Sequence, residues 1–334
     1  MDRRKLTIIV VTLSTMLLIG QLSGVRAFVE SRGQAAVEQY AFELFGSSAE
    51  DNALLLKIKE EAIKRKVEPI NAVHDRVWKA IPGYNGLEVD VDQTYQRALA
   101  LKKGTEAADW NVNDIPFVYR EIPAKVGLDE LGALPIYRGN PNKKMVSFMI
   151  NVAWGNEYIT PMLDTLDAAK VKATFFLDGS WLKKNPELAK EIQKRGHQIE
   201  NHAYSHPNMS QLSESRAVLE ISKTKDLLKE SLGVDNKWFA PPSGDFNQKT
   251  VEIAAGQGLR TVLWTLDTVD WMNPSPESVV AKISKRVEAG SLILMHPTKA
   301  SKEALKGMID AVQRKGLKLG TVEETLSPSR TTKP

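Results

Sequence analysis

The sequence predicts an α/β protein built on a parallel sheet or a (β/α) barrel, preceded by a mostly helical N-terminal region. Three observations carry this expectation. From Lys144 onward, strand-length segments alternate with helical periodicity through about seven repeats in about 180 residues. Residues 146–152 and 171–177 are short apolar runs, the mark of a buried strand. Helix start and stop signals punctuate the array: Asn185-Pro186-Glu187 and Ser275-Pro276-Glu277 at starts, Gly196 and Gly233 at ends.

The elements follow in order. Residues 1–5 are a short basic start and residues 6–20 carry no charge, a basic n-region followed by an apolar h-region. Val25-Arg26-Ala27 offers small residues where a signal peptidase reads. Residues 1–27 are therefore expected to be a cleaved signal peptide or an uncleaved membrane anchor, with a buried core helix as the plain alternative. Either leading reading makes the protein secreted or membrane-anchored and extracytoplasmic, since the positive flank stays inside. Residues 28–108 are expected to be a helical region, from the apolar spacing over 37–45, 53–67 and 91–102, with a turn-rich break at Ile81-Pro82-Gly83-Tyr84-Asn85-Gly86. Residues 109–143, with scattered prolines and no periodicity, read as an extended connector.

Residues 144–326 hold the alternating array and residues 327–334 a tail. Strands are expected over 146–152, 171–177, 197–202, 238–240, 260–266, 291–295 and 317–322. Helices are expected over 160–170, from 185 to Gly196, over 214–232 and 249–255, from Ser275 to Gly290, and over 301–315.

Composition narrows the function. With 45 basic and 41 acidic residues among 334, the net charge is +4, too balanced for a nucleic-acid binder defined by bulk charge. There is no cysteine, which excludes disulfide scaffolds, thiolate metal sites and thiol nucleophiles.

In such folds chemistry gathers where strands end and helices begin. The polar residues there are Asn151, Asp178, Glu200, His202, His206, Asp245, Asp267, Asp270 and His296, which include three of the five histidines. His202 and His206, four apart, can share one side of a helical turn and suit a divalent metal. A chance surface pair has the same spacing. His296 closes an apolar strand and needs a partner or a task, if only a structural hydrogen bond. Asp270 could orient that imidazole or simply cap its loop. Trp154, Trp264 and Trp271 could stack on sugar rings or pack the rim. The turn Ala240-Pro241-Pro242-Ser243-Gly244 reads as scaffold.

Together these segments resemble the NodB-homology domain of the polysaccharide deacetylases. Over residues 144–325 the matching segments are Val171-Lys-Ala-Thr-Phe-Phe, Gly196-His-Gln-Ile-Glu-Asn-His-Ala-Tyr-Ser-His-Pro207, Phe239-Ala-Pro-Pro-Ser-Gly244, Leu263-Trp-Thr-Leu-Asp-Thr-Val-Asp-Trp271 and Gly290-Ser-Leu-Ile-Leu-Met-His296. Residues 77–86 and 150–157 are similar to the YlxY-type, sporulation-associated subgroup. The resemblance implies a distorted (β/α)7 barrel. It implies metal-dependent N-deacetylation of an amino-sugar polymer of the cell wall, peptidoglycan or chitin-like, with zinc or a similar divalent ion. His202 and His206 then match the metal histidines, His296 the general acid and Asp270 its support. Trp154, Pro242 and Trp271 would contact substrate.

The first motif departs from the pattern. Asn151 stands where the general base belongs, Val152 where the aspartate ligand belongs, and Ala240 where the third motif has arginine. An amide cannot accept a proton near neutral pH and a valine cannot ligate a metal. Glu200, Asp178 or Asp267 is the expected substitute carboxylate. Three readings stand: a deacetylase with an unusual site, a catalytically silent glycan-binding relative that needs no metal, and a structural protein whose helical region docks a partner.

Overall fold

The computed structural model describes residues 49–102 and 111–331. The expected signal or anchor segment lies outside the described residues, as do residues 28–48 of the helical region. Among the described residues no helix is long and apolar enough to cross a membrane.

The chain forms two compact units. One contains described residues 49–65 and 89–118. In it, helices α1 (Ala49–Arg65) and α2 (Val91–Lys102) bury Leu54, Ile58, Tyr95, Ala98 and Ile115 in a small core. The other holds residues 66–88 and everything from 119 on.

The helical reading of 28–108 needs correction between those two helices. Residues 73–89 form short strands: β1 (Val73–Asp75) and β2 (Lys79–Ile81) pair antiparallel, and β3 (Gly86–Val89) pairs with β4 (Tyr119–Ile122). β4 also lies inside the expected connector. Pro69, Pro82 and Gly83 interrupt helical periodicity here, and the C-terminal tail secures the segment. Asn85 N–H donates to the Pro328 carbonyl at 2.8 Å, and the Arg330 guanidinium lies 4.5 Å over the Tyr84 ring.

The larger unit is a curled parallel sheet wrapped by helices, as expected of a distorted (β/α) barrel. Its strands are β5 (Met145–Val152), β6 (Thr174–Leu177), β7 (Gln198–Asn201), β8 (Trp238–Phe239), β9 (Arg260–Thr261), β10 (Leu266–Asp267), β11 (Leu292–Met295) and β12 (Lys318–Gly320). The order is β10-β11-β5-β6-β7-β8-β9, with β12 also on β5. Between them run α3 (Asn156–Ala168), α4 (Gly179–Lys184), α5 (Pro186–Lys194), α6 (Glu214–Leu232), α7 (Gln248–Gly256), α8 (Pro276–Arg286), α9 (Lys299–Arg314) and α10 (Val322–Leu326).

Strand periodicity divides the core into two layers. Val146, Phe148, Ile150 and Val152 of β5 join the apolar layer shared with α3, α8 and α9, whereas Met149 joins the inner cluster with Phe176 and Trp238. Fully burying side chains of this size stabilises by about 1.5–3 kcal/mol each, so the register of β5 is firmly set.

Three local expectations are revised. The single strand over 260–266 is split, because Leu263 N–H and Thr265 Oγ turn to the Ile136 and Tyr137 carbonyls of an adjoining segment. Asn185 precedes α5, but its side chain donates back to the Trp181 carbonyl of α4 and does not cap α5. The helix α4, absent from the sequence reading, starts at Asp178, whose Oδ1 accepts the Trp181 N–H at 2.8 Å.

Candidate active site

His202 directly follows β7, and its ring is fully buried beneath the sheet's C-terminal mouth. Its Nδ1–H donates to the Ala240 carbonyl at 2.7 Å, which leaves the Nε2 lone pair free. Burial holds its pKa down at about 3, reinforced by the neighbouring His206 and against the pull of the Ala240 carbonyl, so the ring is neutral at pH 7. The two rings lie 5.2 Å apart between centroids.

A helical turn is not what joins them. The loop carries two left-handed residues, Ala203 (φ 59°) and His206 (φ 56°). Such backbone is costly outside glycine and persists only where surroundings impose it. Here Asn201 Oδ1 accepts the Ala203 N–H at 2.9 Å. Buried Glu220 on α6 accepts the Tyr204 N–H, Ser205 N–H and Ser205 Oγ–H at 3.0, 2.8 and 2.8 Å. Burial also lowers the His206 pKa, opposed by Asp178 nearby.

His296 ends β11 and pairs with Asp270. Its Nδ1–H donates to Asp270 Oδ1 at 2.9 Å and its main-chain N–H to Oδ2 at 2.6 Å; Ser301 Oγ donates to Oδ2 as well. Burial pushes the Asp270 carboxyl up, but the His296 ring and the Ser301 hydroxyl outweigh it and hold the pKa below the usual range. Asp270 is thus an ionised orienter of the imidazole, as expected.

The aromatic residues divide. Trp154 stacks on His296, with centroids 5.4 Å apart and planes at 14°. Trp271 follows Asp270 and is 62% exposed. Pro242 is buried, so the expected contact of its ring with substrate is not available at the surface. Trp264 lies against Gly244.

Asn151 is buried at the end of β5 on the inward face with Met149, and its Oδ1 has no partner. Val152 is turned the other way, into the layer under the helices. Ala240 is buried and contributes only its carbonyl to His202.

Of the expected substitute carboxylates, two are placed elsewhere. Both Glu200 oxygens are committed: Oε2 accepts the Lys237 and Trp238 N–H groups, each at 2.8 Å, and Oε1 the Gln198 amide at 2.7 Å, which ties β7 to β8. Asp267 Oδ1 accepts the Val269 N–H at 2.7 Å and shapes the turn that presents Asp270. Asp178 alone adjoins the pair. Its Oδ1 caps α4 and takes the Ser180 hydroxyl, while its buried Oδ2 has no partner. Burial raises its pKa against the influence of His206.

A divalent metal is tested against this donor set. Two neutral imidazoles are suitable ligands, but among the described residues no three His, Cys, Asp or Glu side chains converge to hold an ion. Protein zinc sites ordinarily supply at least three ligands, and Val152 cannot be one. The residues present therefore do not form a ready metal site.

Sequence reasoning missed Glu220, Ser301 and Gly155. The first two are ordinary surface-type residues on helices, and only tertiary packing turns them inward. Gly155 (φ 81°) carried a legible signal, since a glycine before a helix commonly serves a positive φ.

Comparison with known proteins identifies the family. The family model for polysaccharide deacetylase matches residues 138–262. The uncharacterised YlxY protein of Bacillus subtilis (strain 168) is 43% identical over 283 residues, 85% of this chain and 86% of that one. The crystal structure of wild-type BA3943, described as a CE4-family pseudoenzyme from Bacillus anthracis, is similar at 39% identity and TM-score 0.75. The match covers 83% of this chain and 96% of that one. The Bc1960 peptidoglycan N-acetylglucosamine deacetylase is similar at 32% identity and TM-score 0.56, over 58% of this chain and 94% of that one. The family is metal-dependent. The chain belongs to the polysaccharide deacetylase family, carbohydrate esterase family 4.

Proposed function

We propose that the protein is an extracytoplasmic, cell-envelope member of the family that engages an amino-sugar polymer of the peptidoglycan type without hydrolysing it. The observation that carries this is Asn151: a buried amide with an unpartnered oxygen at the position of the general base. Loss of a general base typically removes about 10²–10⁴-fold in rate, and the missing third metal ligand acts in the same direction. The similarity to BA3943 supports the reading, as does the solved mutant of that pseudoenzyme described as having restored enzymatic activity. The basic and apolar N-terminal segment supports the location and, if uncleaved, a membrane tether.

The acid half is retained. His296 is held through Nδ1 by Asp270, which Ser301 also secures, and exposed Trp271 offers an aromatic face to a sugar ring. The test compares wild type with Asn151→Asp for acetate release from N-acetylglucosamine oligomers and peptidoglycan, alongside sedimentation with insoluble peptidoglycan. Wild type is expected to sediment with the polymer and release no acetate, and the variant, which still lacks a ligand at Val152, to release it only slowly when zinc, cobalt or manganese is supplied. Metal-dependent release by wild type, abolished in His296→Ala, would overturn the silent reading. Failure to sediment would overturn the glycan reading.

A second reading, an N-deacetylase of low activity, is favoured by the unpartnered Asp178 oxygen beside His206. Metal content decides it: equal, negligible metal in wild type and Asp178→Asn speaks against it.

A further inference from the structure

Trp154 touches both histidine groups. Its indole stacks on the His296 imidazole and meets His206 edge-on, with centroids 6.1 Å apart.

The placement is built in. Gly155 (φ 81°) lets the loop after β5 press on the backbone that follows His296, since a Cβ there would collide with the Pro297 carbonyl. From its other side His296 is fixed by two hydrogen bonds to buried Asp270. The consequence shows in exposure: the His296 side chain is 12% exposed, while Trp154 above it is 45% exposed. The indole occupies the solvent-facing place over the acid.

We propose that Trp154 is a built-in cover over the acid half of the centre, which keeps an N-acetyl group from lying between His206 and His296. This closes the site by shape, separately from the chemical loss at Asn151. Only the identity of the excluded group rests on the reading proposed above.

The test is the rate at which diethyl pyrocarbonate modifies His296 in the full-length protein, mapped by peptide mass spectrometry. Exposed His74 serves as internal reference and buried His197 as a sentinel for lost structure. Relative to His74, His296 in Trp154→Ala is expected to react roughly 2- to 10-fold faster than in wild type, the range that the strength of one aromatic stack allows. Trp154→Phe should remain near wild type. Should His197 become reactive in Trp154→Ala, Trp154→Leu replaces it in the same comparison. Equal His296 rates in wild type and the folded aliphatic variant would overturn the cover. In a second arm, Asn151→Asp/Trp154→Ala is expected to release acetate faster than Asn151→Asp. If both are inactive, the restorable centre fails, while the modification rates still decide the cover.

Discussion

Replacing Asp270 by asparagine tests how the acid half is held. The carboxylate accepts three donors in a site closed to solvent: His296 Nδ1–H, His296 N–H and Ser301 Oγ–H. An amide retains one acceptor oxygen. If that oxygen keeps the His296 N–H and Ser301 hydroxyl, its NH2 faces Nδ1 and the imidazole must move its proton to Nε2. Hydrogen bonds to charged groups contribute about 1.5–3 kcal/mol against about 1 kcal/mol for neutral ones, so the variant should lose about 2–3 kcal/mol. Asp270→Ala, which leaves all three donors without an acceptor, should lose about 3–5 kcal/mol. Urea unfolding at pH 7 measures both, and imidazole 15N shifts report the tautomer.

The pH dependence adds a sign. The folded-state pKa of Asp270 lies below its unfolded value of about 3.9. Its stabilisation is therefore fully present above that value and is lost as pH falls through the folded pKa. The gap between wild type and Asp270→Asn should hold steady from pH 7 to about 5 and narrow only below about 4. A gap under about 0.5 kcal/mol at pH 7, the size of an ordinary surface substitution, would refute the reasoning. So would an unchanged tautomer.

Three further predictions follow from the same geometry. Gly155→Ala forces a side chain into a left-handed position against Pro297 and should cost about 2 kcal/mol or more, read by thermal or urea unfolding. Glu220→Ala releases three donors of the histidine loop; it should cost about 2–4 kcal/mol and raise hydrogen exchange at Tyr204 and Ser205. His202 and His197 are held neutral, with pKa values of about 3 and about 4 set chiefly by burial. Their unfolded values are about 6.5, so the unfolded chain binds their protons first and stability falls as pH drops below that, by about 1.4 kcal/mol per unit for each ring. Urea midpoints at pH 7, 6 and 5 check this; a flat profile would contradict it.

The legible parts of this protein were those written in local pattern. Largely apolar runs at 146–152 and 171–177 marked strands, because both faces of a sheet covered by helices or a packed interior are mostly apolar. Gly233, with φ 67°, stopped α6 where expected, since glycine enters that conformation without a Cβ penalty. The helical reading failed at residues 73–89, whose short strands are held by partners at Ile136 and Pro328. No local periodicity records such pairing. The strand over 260–266 divided for a related reason: the Ile136 and Tyr137 carbonyls draw the hydrogen bonds of Leu263 and Thr265 away from a straight ladder.

At the site, the sequence by itself determined the roster. His202, His206, Asp270 and His296 stood at strand ends, and Asn151, Val152 and Ala240 were visible as departures, because residue type fixes what a group can accept, donate or ligate. Only the tertiary structure decided orientation. It turned Val152 into the apolar layer, committed Glu200 to backbone N–H groups, left an Asp178 oxygen unpartnered and laid Trp154 across His296. The physical reason is that a side chain's direction follows from strand register and loop dihedrals, which depend on partners distant in sequence, whereas its chemistry does not.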